Sequence, residues 1–201
     1  MTVDKADTRS RILEAASEII GRERNLNLTI REIANRAEVN IASINYHFQS
    51  KENLLSQVEL MLMENIRHIY TNLNDETVSP RDRLINWANS LIKHLIDFPG
   101  IIYLIGTRIL ERENTCFNQY LSLMETDLAP LIKELTGIKD DSITSFKVLH
   151  LISGVVYPIL IFSSTAENPV ININSEETRK EYVTSLVTSI ETADSARPGG
   201  S

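Results

Sequence analysis

Residues 29–55 read TIREIANRAEVNIASINYHFQSKENLL, and the spacing of apolar residues within them decides the fold of the amino-terminal part. Thr29-Ile30-Arg31-Glu32 matches the Ser/Thr-x-x-Glu capping box, so a helix should start there and run to about Ala37. A short connection, Glu38 to Asn40, precedes a second short helix, Ile41 to His47, which ends before Gln49-Ser50. Ser50 can cap a longer helix carrying Leu54, Leu55, Val58, Leu62 and Ile66. Ile33, Ala34, Val39, Ile44 and Phe48 are spaced to pack on one another and on a preceding helix, which is a helix-turn-helix pattern.

Burying Ile44 and Phe48 turns Ile41, Ala42, Ser43, Asn45 and Tyr46 outward. These side chains are small, polar or aromatic and suit a helix lying in a DNA major groove. Ser43 and Asn45 can hydrogen-bond to base edges, and Ile41 or Ala42 can touch a thymine methyl. Thr29 and Lys51 stand at helix amino termini, and Tyr46 and His47 close the second helix, where phosphate contacts are made.

Upstream, Ile12, Leu13, Ala16, Ile19 and Ile20 form the apolar stripe of a first helix from about Asp7 to Gly21, with Gly21 suited to its carboxyl-terminal cap. Downstream, the periodicity stays helical. Ser79-Pro80-Arg81-Asp82 is a strong helix start, and that helix should reach Asp97 before Phe98-Pro99-Gly100 breaks it. Further helices are expected over Ile101 to Glu111, Thr115 to Leu135 with a kink at Pro130, Asp141 to Phe162, and Ser175 to Glu191. The fold class is therefore all-α, with about nine helices. A three-helix head over residues 1–50 is followed by a helical body over 51–194, and 195–201 is expected to be a disordered tail.

Composition narrows the function. The chain has 201 residues and a net charge of -7, but the first 55 residues hold eight basic and eight acidic side chains against twelve and nineteen in the remainder. A neutral, locally basic head on an acidic body suits a protein whose head alone meets a polyanion. The single cysteine, Cys116, excludes an internal disulfide and a Cys-rich zinc site. None of His47, His68, His94 and His150 pairs with another histidine at helical ligand spacing, so no metal is expected, and neither a Gly-rich phosphate loop nor a nucleophile elbow is present. No catalytic residue and no cofactor are expected. The start of the chain is polar where a signal peptide would be apolar, and Val148 to Phe162 is shorter than the ~18 residues of a membrane span, so it reads as a buried helix. The expected place is the cytoplasm, with no membrane partner.

RSRILEAASEII at 9–20, the Ile-Ala of the second helix, Tyr46-His47-Phe48 and Ser50-Lys51-Glu52 together resemble the TetR family of bacterial transcriptional regulators. The resemblance covers roughly the first 60 residues. One position departs: the family usually has Gly where this chain has Glu38, and a positive φ there would cost Glu on the order of 1 kcal/mol. The resemblance implies a ligand-responsive repressor binding a double-stranded DNA operator, with a small-molecule pocket enclosed by the body helices. Trp87, Leu91, His94, Phe98, Tyr103, Phe117, Tyr120, Met124 and His150 are aromatic, apolar or polar-tipped residues able to line such a pocket for a largely apolar effector, although stripes of this kind are usually core. Tyr182, Val183, Leu186, Val187 and Ile190 form a stripe on the last helix. With Ile152, Val156 and Ile159 on the preceding one, they are the expected homodimer interface, packed as a four-helix bundle. The same helix order also allows control by a partner protein, or a helical lipid-binding or enzymatic domain.

Overall fold

The computed structural model describes residues 3–110, 114–162 and 172–192, and every regular element among the described residues is helical. In chain order these are α1 (Val3–Gly21), α2 (Ile30–Arg36), α3 (Ile41–Phe48), α4 (Lys51–Tyr70) with a 3-10 turn (Thr71–Asn74), α5 (Pro80–Asp97), α6 (Gly100–Leu110), α7 (Asn114–Leu123), α8 (Ala129–Thr136), α9 (Asp141–Phe162) and α10 (Glu176–Thr192). A π-helical turn, Met124–Leu128, joins α7 to α8, so the described residues make nine helical rods in the expected order. The kink expected from Pro130 takes this form. Its ring would crowd the carbonyl four residues back, and the wider π turn, closed by the Ala129 amide on the Met124 carbonyl, opens that spacing. The expected tail at 195–201 lies outside the described residues.

Contacts group the chain into two compact units, one within 1–65 and 97–118, the other within 66–96 and 119–201. α4 continues unbroken from Lys51 to Tyr70, and α6 packs on α1 within the first unit. Gly100 explains that packing: a Cβ there would stand 1.8 Å from the Ile20 carbonyl oxygen, so only glycine lets α6 approach the end of α1. Phe98 covers Gly21 in the same contact, with the Arg22 guanidinium 4.9 Å above its ring, and Arg108 Nε donates to Glu59 at 3.0 Å. Gly21 therefore supplies space for Phe98 rather than a left-handed cap. That conformation falls to Arg24, at φ +59°. Ile12, Ala16, Ile19, Ile33, Ile44, Phe48, Leu54 and Val58 fill the core of this unit.

In the second unit Tyr70, Leu73, Leu84, Trp87 and Leu91 are buried, and so is the charged side chain of Arg83. Its guanidinium donates to the Leu73 carbonyl at 3.1 Å and to both carboxylate oxygens of Glu134 at 2.8 and 2.9 Å, which makes a buried cation tolerable. α10 packs on α9 through Val183, Val187 and Ile190; the Tyr182 hydroxyl donates to the Gly154 carbonyl at 2.6 Å, and buried Lys147 Nζ donates to the Ile190 carbonyl at 2.6 Å. By length and composition, α9 is apolar enough over Asp141–Ile161 to cross a membrane, with mean hydropathy 1.5, which corrects the shorter span read from Val148. Nor is it a buried helix in this chain. One face packs inward, while Phe146, Leu149, Tyr157, Leu160 and Ile161 are exposed.

Candidate nucleic-acid interface

The second helix of the motif, α3, is delimited by side chains at both ends. Asn40 caps its start: Asn40 Oδ1 accepts from the Ser43 amide at 2.7 Å and from the Ser43 hydroxyl at 3.0 Å. The turn before it passes through Glu38 at φ +54°, the left-handed conformation that the family's glycine would adopt freely. At the far end the chain turns within two residues. The Ser50 amide reaches back to the Phe48 carbonyl at 2.7 Å around Gln49 (φ 66°, ψ -40°), a strained γ-turn. Asn53 Nδ2 donates to that same carbonyl at 2.8 Å, while Ser50 Oγ accepts from the Asn53 amide at 3.1 Å and so caps α4. This junction makes Lys51 the first residue of α4.

With Ile44 and Phe48 buried, α3 presents Ile41, Ala42, Asn45 and Tyr46 outward; Tyr46 is 65% exposed, while Ser43 and His47 are half-buried. The Tyr46 and His47 rings meet edge to face at 5.2 Å. Thr29 closes the capping box of α2. Its amide donates to Glu32 Oε2 at 2.6 Å and its hydroxyl oxygen accepts from the Glu32 amide at 3.2 Å, leaving the hydroxyl proton for an acceptor outside. These bonds from Thr29, backbone first, hold the Glu32 carboxyl below its ordinary pKa, with a smaller contribution from the Lys51 charge. Thr29, Ile41, Ala42, Ser43, Asn45, Tyr46, His47 and Lys51 thus all belong to one unit and frame one short helix. Ser43 differs in detail from its expected role, because its proton points at Asn40 and its lone pairs remain to accept from a base amine.

Asn40, Asn53 and Arg11 were not singled out by the sequence reading. Asn40 was detectable, since Asn before Ile41 is a preferred cap. The other two act through backbone carbonyls that no local motif marks: Arg11 Nη2 donates to the Ala37 carbonyl at 2.5 Å and to the Glu38 carbonyl at 3.2 Å.

The expected pocket residues are divided between the two units. Trp87 and Leu91 are buried on α5, His94 is half-buried on the same helix, and Tyr120 and Met124 are half-buried further along the same unit. Burial pushes the Tyr120 phenol up to about 12. Phe98 and Tyr103 fall in the other unit, with Tyr103 exposed, and the Phe117 side chain lies outside the described residues. His150 is exposed beside Leu149 on the open face of α9, so it lines no interior. The expected dimer residues lie on α9 and α10. Ile152, Ile159, Val183, Val187 and Ile190 are buried within the single chain because α9 and α10 cover one another, and Val156, Tyr182 and Leu186 are half-buried.

Residues 12–58 match the family described as "Bacterial regulatory proteins, tetR family". The match covers the helix-turn-helix head. Solved structures share the fold well beyond the head. A TetR-family transcriptional regulator from Streptomyces coelicolor is 16% identical over 92% of this chain and 97% of its own, with a TM-score of 0.69. A transcriptional regulator from a Rhodococcus species is 14% identical over 94% and 99%, with a TM-score of 0.68. A gamma-butyrolactone receptor is 19% identical over 94% and 99%, with a TM-score of 0.55. Among curated proteins none matches.

Proposed function

We propose that this protein is a TetR-type regulator: a cytoplasmic, ligand-responsive repressor that binds a pseudo-palindromic operator as a homodimer. The observation that carries the reading is the outward face of α3, where Ile41, Ala42, Asn45 and Tyr46 stand clear of the core between Thr29 and Lys51 at two helix starts. Asn45 and the lone pairs of Ser43 read base edges, and Thr29, Tyr46, His47 and Lys51 hold phosphates. The exposed apolar row of α9, at 146, 149, 157, 160 and 161, supports pairing with a second copy, which would place two α3 helices on successive turns of a duplex.

The effector reading rests on the second unit. There the Tyr70 hydroxyl and Trp87 Nε1 are buried with no hydrogen-bond partner among the described residues. A small, largely apolar molecule bearing a hydrogen-bond acceptor would satisfy both groups. Tyr70 is the last residue of α4, and Lys51, about 30 Å away along the same helix, is its first. A ligand that binds the DNA-incompetent state more tightly lowers operator affinity, and by linkage the operator weakens the ligand by the same factor. The test starts from a duplex selected by the protein from a random 20-base-pair pool. Binding that strengthens steeply at low salt and prefers the selected duplex over its scrambled version is expected; equal affinity for both would overturn the operator reading.

A further inference from the structure

α3 can be aimed only as well as the turn that precedes it, and that turn is unfavourable by itself. Glu38 sits at φ +54°, where a residue with a Cβ is disfavoured, two positions before the Asn40 cap. The last amides of the turn are used in closing α2: Ala37 donates to the Ile33 carbonyl at 2.8 Å, Glu38 to Asn35 at 3.3 Å and Val39 to Ala34 at 3.0 Å. Those bonds face backward and leave the carbonyls of Ala37 and Glu38 to be satisfied from elsewhere. Arg11, 26 residues earlier on α1, meets both with Nη2, at 2.5 and 3.2 Å. A cationic donor on the carbonyls that end a helix is among the stronger hydrogen bonds available to a protein.

We propose that Arg11 is a positioning residue for DNA recognition: by bracing the Ala37 and Glu38 carbonyls it holds the non-glycine turn in the conformation that aims α3. It touches no DNA in this role. Its effect passes through the turn, so it differs from a phosphate-binding arginine in what rescues it. Glycine at position 38 takes the same φ without strain and removes the need for the brace.

The test combines Arg11→Ala, Arg11→Lys, Glu38→Gly and the Arg11→Ala/Glu38→Gly double variant, with two readouts in the full chain: affinity for the selected duplex, and amide hydrogen exchange at Val39 and Ser43 compared with Ile12 to Ile20. Arg11→Ala is expected to weaken duplex binding about tenfold, as suits the loss of charged hydrogen bonds. It should speed exchange at Val39 and Ser43 while leaving α1 protected. Arg11→Lys, which keeps donors on a stem of similar reach, should stay within about threefold of the unmodified protein. Glu38→Gly should return most of the Arg11→Ala loss. Exchange that rises equally throughout α1 would mean general destabilisation and would overturn the proposal, as would a double variant no better than Arg11→Ala. If Arg11→Ala does not fold, Arg11→Gln takes its place under the same criteria. The exchange readout involves no DNA, so it tests the brace even if duplex selection fails.

Discussion

The rings of Tyr70 and Trp87 meet edge to face at 5.3 Å, and both polar tips are buried without a hydrogen-bond partner among the described residues. Burial also pushes the Tyr70 phenol above its ordinary pKa. A buried hydroxyl with no partner costs stability, so Tyr70→Phe should be neutral or stabilising, by up to about 1 kcal/mol. Urea unfolding checks this; a loss above about 1 kcal/mol would show that the hydroxyl is satisfied in the free protein. The same variant should bind an identified effector more weakly.

Lys51 and Asn45 should fail differently. Lys51→Ala removes a phosphate contact, so it should weaken binding alike on all sequences and reduce the salt slope by about one. Asn45→Ala should cost on the order of 1 to 3 kcal/mol, confined to one base pair of the selected duplex. Competition among single-base variants of that duplex separates the two, and an Asn45→Ala loss spread evenly over the panel would remove its base-reading role.

The γ-turn at Gln49 yields opposite expectations on its two sides. Gln49→Gly relieves a positive φ and should raise stability by about 0.5 to 1 kcal/mol. Asn53→Ala removes the second donor to the Phe48 carbonyl and should lower stability by roughly 1 kcal/mol. Chemical denaturation of the two variants is sufficient; a destabilised Gln49→Gly would mean that the side chain at 49 contributes more than its backbone costs.

Much of the head was legible because each decisive element is local. The capping box at Thr29 and Glu32, the alternation of buried Ile44 and Phe48 with exposed Asn45 and Tyr46, and the start at Ser50-Lys51 all lie within four residues of what they control. The body was legible as helices and not as surfaces. α9 is apolar around most of its circumference, so its periodicity could not say which side α10 would cover. Gly100 and Arg11 escaped for a related reason: each acts on backbone carbonyls distant in sequence, at Ile20 and at Ala37.

Glu32 gives the head a pH dependence whose sign follows from its lowered pKa. The folded state favours the ionised carboxylate, so the contribution is full above the ordinary value of 4.5 and is lost as pH falls through the lower folded value. Unfolding midpoints of the unmodified protein and Glu32→Gln should therefore converge as the solution is acidified below that value. Other carboxylates titrate in the same range but are common to both proteins, so the difference isolates Glu32. A difference constant between about pH 3 and 6 would contradict the assignment.

The dimer prediction turns on which face of α9 carries charge. Leu149 and Tyr157 are 61% and 63% exposed in the single chain, whereas Ile190 is 3% exposed. Glutamate at 149 and 157 therefore places charge where a second copy would bury it and leaves the intrachain packing intact. Glutamate at 190 places it in the core beside the carbonyl that Lys147 holds, and should unfold the α9–α10 pair whatever the oligomeric state. Sedimentation at micromolar concentration should show the unmodified protein as a dimer and Leu149→Glu/Tyr157→Glu as a monomer of unchanged helicity. That monomer should lose most of its affinity for a two-half-site duplex while keeping its weak affinity for a single half-site, because each head is intact and only their linkage is gone. A double variant that remains dimeric would move the interface off this face of α9.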